Sequence, residues 1–455
     1  MKIIKRRLNF YSNICNNIEK GIGHVYKLKI NIDIKKFYEK ITSANTDLNK
    51  LDNKNETYAG FLYFAKSVKN FNSIEKEQLN KFLVNLFLAD VQLLPLIFID
   101  KDQNIIFYNI NEKMEIPSIF AKFKDLISTL IDCKMEISNY DNHLLCSIIK
   151  ERLADVENFF VVENGEFINN LFNNFPDEIS KKSFETYIEQ RILVNIQCDY
   201  KVVYPVRPPK ITQKWRNERL STLYNLPTIK GTISDQQKEW FYETTFKLEQ
   251  YAINGICEAE KGDVVIDAGA FVGDTALYFA QKIGDSGKIY AFEPIEKILS
   301  FTKQNIKENG IDHIVEVIPK ALSNINRTLH FIDDTSDSSA INLEDIEDNY
   351  NIQFAKSGKN LLMHAIDAVS LDSFVEERKI RKVDFLKADL EGADVDFVKG
   401  ALKTISRDAP KCGLTVYHKK EDFITIPKLL MSAQDDYVFY FRCETEPVIF
   451  AKRKE

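Results

Sequence analysis

Residues 263–294 read DVVIDAGAFVGDTALYFAQKIGDSGKIYAFEP, and the architecture of the chain follows from this stretch. Its order is strand, glycine turn, helix, strand, acid. Val264-Val265-Ile266 is a short β-branched run, as expected of a strand covered on both faces. Asp267, Gly269 and Gly273 break the run. Asp274 and Thr275 stand where side-chain oxygens can cap a helix. The apolar period that follows runs through Ala276, Leu277, Phe279, Ala280 and Ile283, and Gly284 supplies a stop. Lys288 to Phe292 reads as the second strand, with Glu293 directly at its end.

Glycines at the first turn of such a unit let a ligand approach the backbone where a side chain would collide. An acid at the end of the next strand can accept from both hydroxyls of a ribose. The spacing separates the nucleotide cofactors. A dinucleotide site needs G-x-G-x-x-G with free amides for a pyrophosphate. Here the turn is Asp267-Ala268-Gly269-Ala270-Phe271-Val272-Gly273, headed by an acid. An acid repels phosphates but suits the ammonium of a methionine moiety, which favours S-adenosyl-L-methionine.

The chain has 455 residues, enough for two or three domains. Its 44% hydrophobic and 28% charged residues describe a globular protein. A net charge of −6 gives no overall case for nucleic acid. The cysteines, Cys15, Cys133, Cys146, Cys198, Cys257, Cys412 and Cys443, form no C-x-x-C pair. A dispersed, odd set argues against a disulfide framework and suits the cytoplasm. The start, MKIIKRRLNFY, is basic but no apolar run follows it, so no signal peptide is expected. Phe82 to Ile99, the most apolar window, contains Asn85, Asp90, Gln92 and Pro95 and is too polar to span a bilayer.

Three regions follow. Residues 1–150 read as an α+β domain of unknown role. Leu28 to Ser43 looks like a strand running into a helix, and Ser73 to Ala89 and Ser118 to Leu130 like helices. Leu96 to Ile99 and Ile105 to Ile110 flank a hairpin. Residues 151–258 are a helical lead-in and linker, with Val203 to Lys210 extended by its prolines and Asp235 to Glu258 a single long helix. Residues 259–455 alternate strand and helix, which implies a doubly wound, mostly parallel sheet with its ligand at the carboxyl ends of the strands. Tyr437 to Arg442 and Pro447 to Lys452 should close it as an antiparallel C-terminal edge, and Asp333 to Asn360 reads as a polar excursion.

A second constellation lies in Val383 to Gly392, VDFLKADLEG. As a strand it puts Phe385, Lys387, Asp389 and Glu391 on one face. Charges on a central strand are costly unless they meet a partner, solvent or a ligand. Lys387 can pair with a carboxylate, and Asp389 or Glu391 can position a hydroxyl or take its proton. His418 ends the following strand, and an imidazole there is a natural base. No metal-ligand set stands out, so turnover insensitive to EDTA is expected.

The set VVIDAGAFVGDTALYFA, KIYAFEP, LKADLEGAD and TVYHKKEDFITIPKLL resembles the FkbM family of S-adenosylmethionine-dependent methyltransferases, from about Lys261 onward. The resemblance implies a Rossmann-like class I methyltransferase fold. It implies a cofactor site made of Asp267, Gly269, Ala270, Gly273, Asp274, Thr275, Glu293, Pro294, Ala321, Leu322 and Ser339. Of these, Asp267, Gly269 and Gly273 would lie at the methionine, Glu293 on the ribose, and Ala321-Leu322 near the adenine. It also implies that Asp389, Glu391 and His418 are catalytic, and that the reaction is O-methylation of a hydroxyl-bearing acceptor such as a sugar, glycan or small metabolite. Two rival readings are a nicotinamide-dependent oxidoreductase and a non-catalytic scaffold that recruits a partner through the N-terminal region. The acceptor and the oligomeric state are open at this level.

Overall fold

The protein is described from a computed structural model over residues 2–22, 24–32, 97–100, 105–109, 133–198, 226–229, 235–333, 341–342 and 362–454. It divides into two compact units, Met1–Ile168 with Ile188–Tyr200, and Asn169–Tyr187 with Lys201–Glu455.

The first unit holds helix α1 (Lys2–Glu19) and a four-stranded antiparallel sheet of β1 (His24–Ile32), β2 (Ile97–Ile99), β3 (Ile105–Asn109) and β4 (Cys133–Asn139), in the order β2-β3-β1-β4. The hairpin expected around residues 101–104 is present as the β2–β3 pair. Helix α2 (Asn142–Glu157) is capped by Asp141, whose carboxylate accepts from the amides of His143 and Leu144. Ile4, Tyr11, Ile14 and Ile18 of α1 and Leu145, Ile148 and Ile149 of α2 are buried. The helices expected over 73–89 and 118–130, and the extended segment 203–210, lie outside the described residues. Two more helices follow, α3 (Gly165–Asn174) and α4 (Glu178–Cys198).

In the second unit, α5 (Asp235–Phe241) runs into a π-helical turn over Tyr242–Lys247. The single long helix expected to Glu258 therefore ends early. The Leu248 amide bonds back to the Glu243 carbonyl, Glu249 turns into the left-handed region at φ 52°, and the chain reverses through an Ile253–Cys257 bridge. The main sheet is built from β5 (Val264–Ala268), β6 (Lys288–Phe292), β7 (Val315–Ile318), β12 (Phe385–Ala388), β13 (Lys411–Thr415), β14 (Tyr437–Arg442) and β15 (Val448–Arg453). Its order is β14-β15-β13-β12-β5-β6-β7. Neighbours from β7 to β13 are parallel, and β15 lies antiparallel between β13 and β14. This is the α/β fold expected, with its antiparallel C-terminal edge.

A smaller sheet of β8 (Ala321–Leu322), β9 (Arg327–Asp333), β10 (Ile341–Asn342) and β11 (Leu362–Val369) follows β7, in the order β10-β9-β11-β8. Apart from Ile341–Asn342, the polar stretch 334–361 is outside the described residues. The connecting helices are α6 (Asp274–Ile283), α7 (Glu296–Glu308), α8 (Leu371–Glu377), α9 (Asp394–Lys399), α10 (Leu402–Asp408) and α11 (Asp422–Ala433). Val265, Phe279, Ile289, Ala291 and Phe385 are fully buried in the core beneath the sheet. The main sheet has only one place where its order reverses away from β5, between β5 and β12, and that is where a crevice forms in such folds.

Candidate functional site

The turn after β5 is shaped by contact rather than by free amides. Gly269 sits at φ +80°, and a Cβ there would lie 2.1 Å from the Asp389 carbonyl oxygen. No other residue fits that approach. The amides of Gly269 and Ala270 both donate to the Phe292 carbonyl, at 3.2 and 2.9 Å, and the Gly273 amide donates to Ala270 at 2.7 Å. These amides are engaged within the fold, so the turn offers no cradle for a pyrophosphate. Gly273, at φ 90°, is the N-cap residue of α6.

Asp274 and Thr275, expected to cap α6, do not. The cap position belongs to Gly273 without a side-chain bond, and both side chains turn inward instead. The Thr275 hydroxyl donates to Asp267 Oδ2 at 2.8 Å, and Asp274 Oδ2 accepts from Thr245 at 2.9 Å. Burial pushes the Asp274 carboxyl up to about 6.

Asp267, at the head of the turn, is fully buried. Its Oδ1 lies 3.2 Å from Lys387 Nζ, which also donates to the carbonyls of Gly269 at 2.6 Å and Ala268 at 3.2 Å. The same ammonium stands 5.2 Å from the centre of the Tyr251 ring. Burial opposes the charge on Lys387, but the neighbouring carboxylates, Asp267 first, outweigh it and hold its pKa above the ordinary value. The acid and the lysine thus brace the turn from below.

Glu293 directly follows β6 at its carboxyl end, buried, with Oε1 accepting from the Ile295 amide at 2.8 Å. Burial raises its carboxyl to about 7. Pro294 follows, half-buried. Ala321 and Leu322 are buried in β8, paired in parallel with Ala368 and Val369. Ser339 lies outside the described residues.

The other side of the crevice is assembled from distant segments. The strand expected over 383–390 is only Phe385–Ala388, so the shared face does not continue to Glu391. The chain leaves the sheet because Asp394 gathers the Leu390 and Gly392 amides at 3.0 and 3.2 Å while Glu391 and Gly392 adopt positive φ, 49° and 99°. Asp389 still bonds to β5 through its amide, at 3.1 Å from the Ala268 carbonyl. Its Oδ2 accepts from the Tyr251 hydroxyl at 2.8 Å. The π-helical turn and the break after it bring Tyr251 there; such widened turns recur at functional sites.

His418, just past β13, is buried at 8% exposure. Its Nδ1 donates to Asp394 Oδ2 at 2.9 Å. Its Nε2 makes no hydrogen bond but lies 3.4 Å from Asp389 Oδ1 and 3.6 Å from Glu391 Oε2. Burial opposes its protonation, yet the carboxylates, Asp394 above all, hold the imidazole well above its usual pKa. Asp394 Oδ1 also accepts from Thr415 at 3.2 Å. On the far side, Gln250 Nε2 donates to the Tyr251 oxygen at 3.2 Å and to Glu446 Oε2 at 2.6 Å. Burial lifts the Glu446 carboxyl to about 8, with Asp389 adding to the shift. Among the described residues, Asp394, His418 and Asp422 offer ligand atoms within 4.8 Å of one another.

The structure therefore brings Asp389, Glu391 and His418 together and sets Asp267 beneath the glycine turn. Sequence reasoning missed Tyr251, Gln250, Asp394 and Glu446. The dipeptide Asn254-Gly255, a turn signal, could have marked the end of the helix before Glu258. Asp394, two residues after Gly392 at the start of a helix, carries an N-terminal signature. Nothing in the sequence flags Glu446.

Residues 267–439 match the family model for the methyltransferase FkbM domain. A curated relative, the probable cobalt-precorrin-6B C(15)-methyltransferase (decarboxylating) of Saccharolobus solfataricus, is 26% identical over 107 residues, 23% of this chain and 53% of its own length. The chain thus spans about half the length of that relative. The solved structure of methyltransferase FkbM from Methylobacillus flagellatus is 14% identical with a TM-score of 0.40, covering 66% of this chain and 61% of that one. An O-methyltransferase from Bacillus cereus, solved with SAH, is 15% identical with a TM-score of 0.27, covering 54% of this chain and 92% of that one.

Proposed function

We propose, from the FkbM-family S-adenosylmethionine-dependent methyltransferase domain that residues 267–439 form, that this chain transfers a methyl group to a hydroxyl oxygen of a sugar, glycan or small metabolite. One observation carries the choice of cofactor. The amides of Gly269, Ala270 and Gly273 are engaged with Phe292 and Ala270, so the turn offers no cradle for a pyrophosphate, while Asp267, expected to meet the methionine ammonium, is buried beneath the turn on Lys387 and Thr275. Gly269, Ala270 and Gly273 line the methionine side, with Asp267, Asp274 and Thr275 fixing the turn from below. Glu293 and Pro294 hold the ribose, and Ala321 and Leu322 serve the adenine end.

The chemistry is in-line displacement. The acceptor oxygen forms a bond to the sulfonium methyl carbon, the carbon–sulfur bond breaks, and S-adenosylhomocysteine leaves with the electron pair. The donor is already activated, so the protein contributes mainly alignment and exclusion of water. Asp389, Glu391 and His418 orient the acceptor hydroxyl, and Asp389 or His418 draws off its proton, which contributes on the order of 10²–10⁴-fold. Among the described residues no helix is long and apolar enough to cross a membrane. The buried free thiols of Cys15, Cys146, Cys257, Cys412 and Cys443 support a reducing, cytoplasmic setting.

Calorimetric titration with S-adenosylmethionine and S-adenosylhomocysteine tests this reading. Glu293→Ala should weaken binding by about 10²-fold or more, since it removes charge-assisted bonds to two hydroxyls. Binding of NADH in place of both ligands, or unchanged affinity in the variant, would sink it.

A further inference from the structure

We propose that Phe271 is a positioning residue for the cofactor: its strained backbone sets Glu293 for the ribose, and its ring, held by Phe241, keeps that backbone in place. This role rests on the methyltransferase reading, whose ribose acid it supports.

Phe271 is the wrong residue type for its conformation. Three positions of the turn take positive φ, Gly269 at 80°, Phe271 at 45° and Gly273 at 90°. Glycine at two of them fits. A bulky aromatic at the third is an outlier, and such strain persists only where the surroundings enforce it, most often at ligand sites.

Here the surroundings act from three sides. From α7, the Thr302 hydroxyl donates to the Phe271 carbonyl and Asn305 Nδ2 donates to the Val272 carbonyl at 2.7 Å, and both side chains are fully buried. From α5, the Phe241 ring stands edge-on to the Phe271 ring, with centroids 5.8 Å apart and planes at 60°. From the end of β6, Glu293 accepts a backbone hydrogen bond from Phe271 as well as the one from Ile295 at 2.8 Å. Burial raises the Glu293 carboxyl, and these two bonds oppose the rise.

Packing alone does not require the ring. Ala270 and Val272 on either side are buried, whereas Phe271 is only half-buried. A glycine would adopt the turn with no steric cost, but it would leave the amide that meets Glu293 free to swing. The aromatic pair removes that freedom. A carboxylate that accepts from two ribose hydroxyls gains affinity when its direction is fixed before the ligand arrives.

The test titrates S-adenosylhomocysteine calorimetrically into the full chain and its variants, with a urea midpoint taken for each. Phe271→Gly should bind about tenfold more weakly, through lost preorganisation. Its midpoint should stay near that of wild type, because relief of strain offsets the lost ring contact. Phe241→Ala, which leaves residue 271 unchanged, should weaken binding by about threefold, the worth of a modest aromatic pair. Phe271→Tyr should bind as wild type does. The double variant Phe271→Gly with Glu293→Ala should bind as weakly as Glu293→Ala alone, since a residue that acts through another adds nothing once that other is gone. If Phe271→Gly fails to fold, Phe241→Ala carries the same comparison in the Glu293→Ala background. Wild-type affinity in Phe271→Gly overturns the proposal. Additive losses in the double variant overturn it as well, because they make the ring a separate contact or a structural support. Both outcomes leave the methyltransferase reading standing. Wild-type protein that binds neither S-adenosylmethionine nor S-adenosylhomocysteine overturns that reading and this role together.

Discussion

The two sides of the crevice are built in different ways. The side formed by β5, its turn and β6 comes from one continuous run of chain between Asp263 and Pro294, in which Thr275 meets Asp267 and the turn amides meet Phe292, with Lys387, Thr245, Thr302 and Asn305 added from outside the run. The side formed by Asp389, His418, Asp394, Tyr251, Gln250 and Glu446 draws on segments as far apart as 196 residues, the separation of Gln250 and Glu446. The first is a rigid floor with engaged amides and a buried ion pair. The second gathers the buried Asp394 and the more exposed Asp389 and Glu391 around one imidazole. Gly269 lies between them, pressed against the Asp389 carbonyl. A scaffold that is local in sequence thus carries a chemical group that is not.

Gly269→Ala should have the largest effect, because it strikes both sides. It adds a Cβ against a backbone oxygen and holds alanine at φ +80°. A loss of about 3–6 kcal/mol is expected from overpacking and backbone strain together, read by urea unfolding. A loss below about 1 kcal/mol would show that the two sides are not in rigid contact. Lys387→Met comes next. It leaves Asp267 buried without its cation, at about 3–5 kcal/mol, and Asp267→Asn in the same chain should recover part of that. If the double variant is no better than the single one, the floor is not held by the pair.

Glu293→Gln gives a smaller change whose sign depends on pH. The folded carboxyl titrates at about 7 against an ordinary 4.5. Between those values the folded state keeps a proton that the unfolded chain has released, so stability is lost as pH rises, by at most about 3 kcal/mol. Without ligand, the variant should melt with wild type at pH 5 and above it at pH 8, while binding S-adenosylhomocysteine more weakly. Melting below wild type at pH 8 would mean that the ionised acid is stabilised in the free protein. Tyr251→Phe should have the smallest effect, about 1 kcal/mol, the worth of one partly buried hydrogen bond to Asp389. A change of several kcal/mol there would make the acceptor side as rigid as the floor and erase the contrast.

The legibility of the site follows the same division. β5, α6, β6 and the acid at the end of β6 were readable because each rests on spacing within about 30 residues, where periodicity and turn chemistry act. Asp389, Glu391 and His418 were readable as charges at strand ends. Their shared strand face was not a sound expectation, because Asp394 folds the chain out of the sheet after Ala388. Asp274 and Thr275 looked like caps because the local pattern allows it. The buried partners Thr245 and Asp267 compete for those side chains and win.

By itself, the sequence determined the alternating α/β architecture, the parallel sheet with its antiparallel edge, the glycine turn and the acid at the end of β6. Each of these depends on the conformational limits and burial of neighbouring residues. The tertiary structure alone decided that Lys387 lies beneath the turn. It also decided that a widened helical turn delivers Tyr251 to Asp389, and that Asp394 holds His418 with Nε2 facing two carboxylates. Those contacts join residues far apart in the chain, and their stability comes from burial and charge that exist only once the sheet has closed around them.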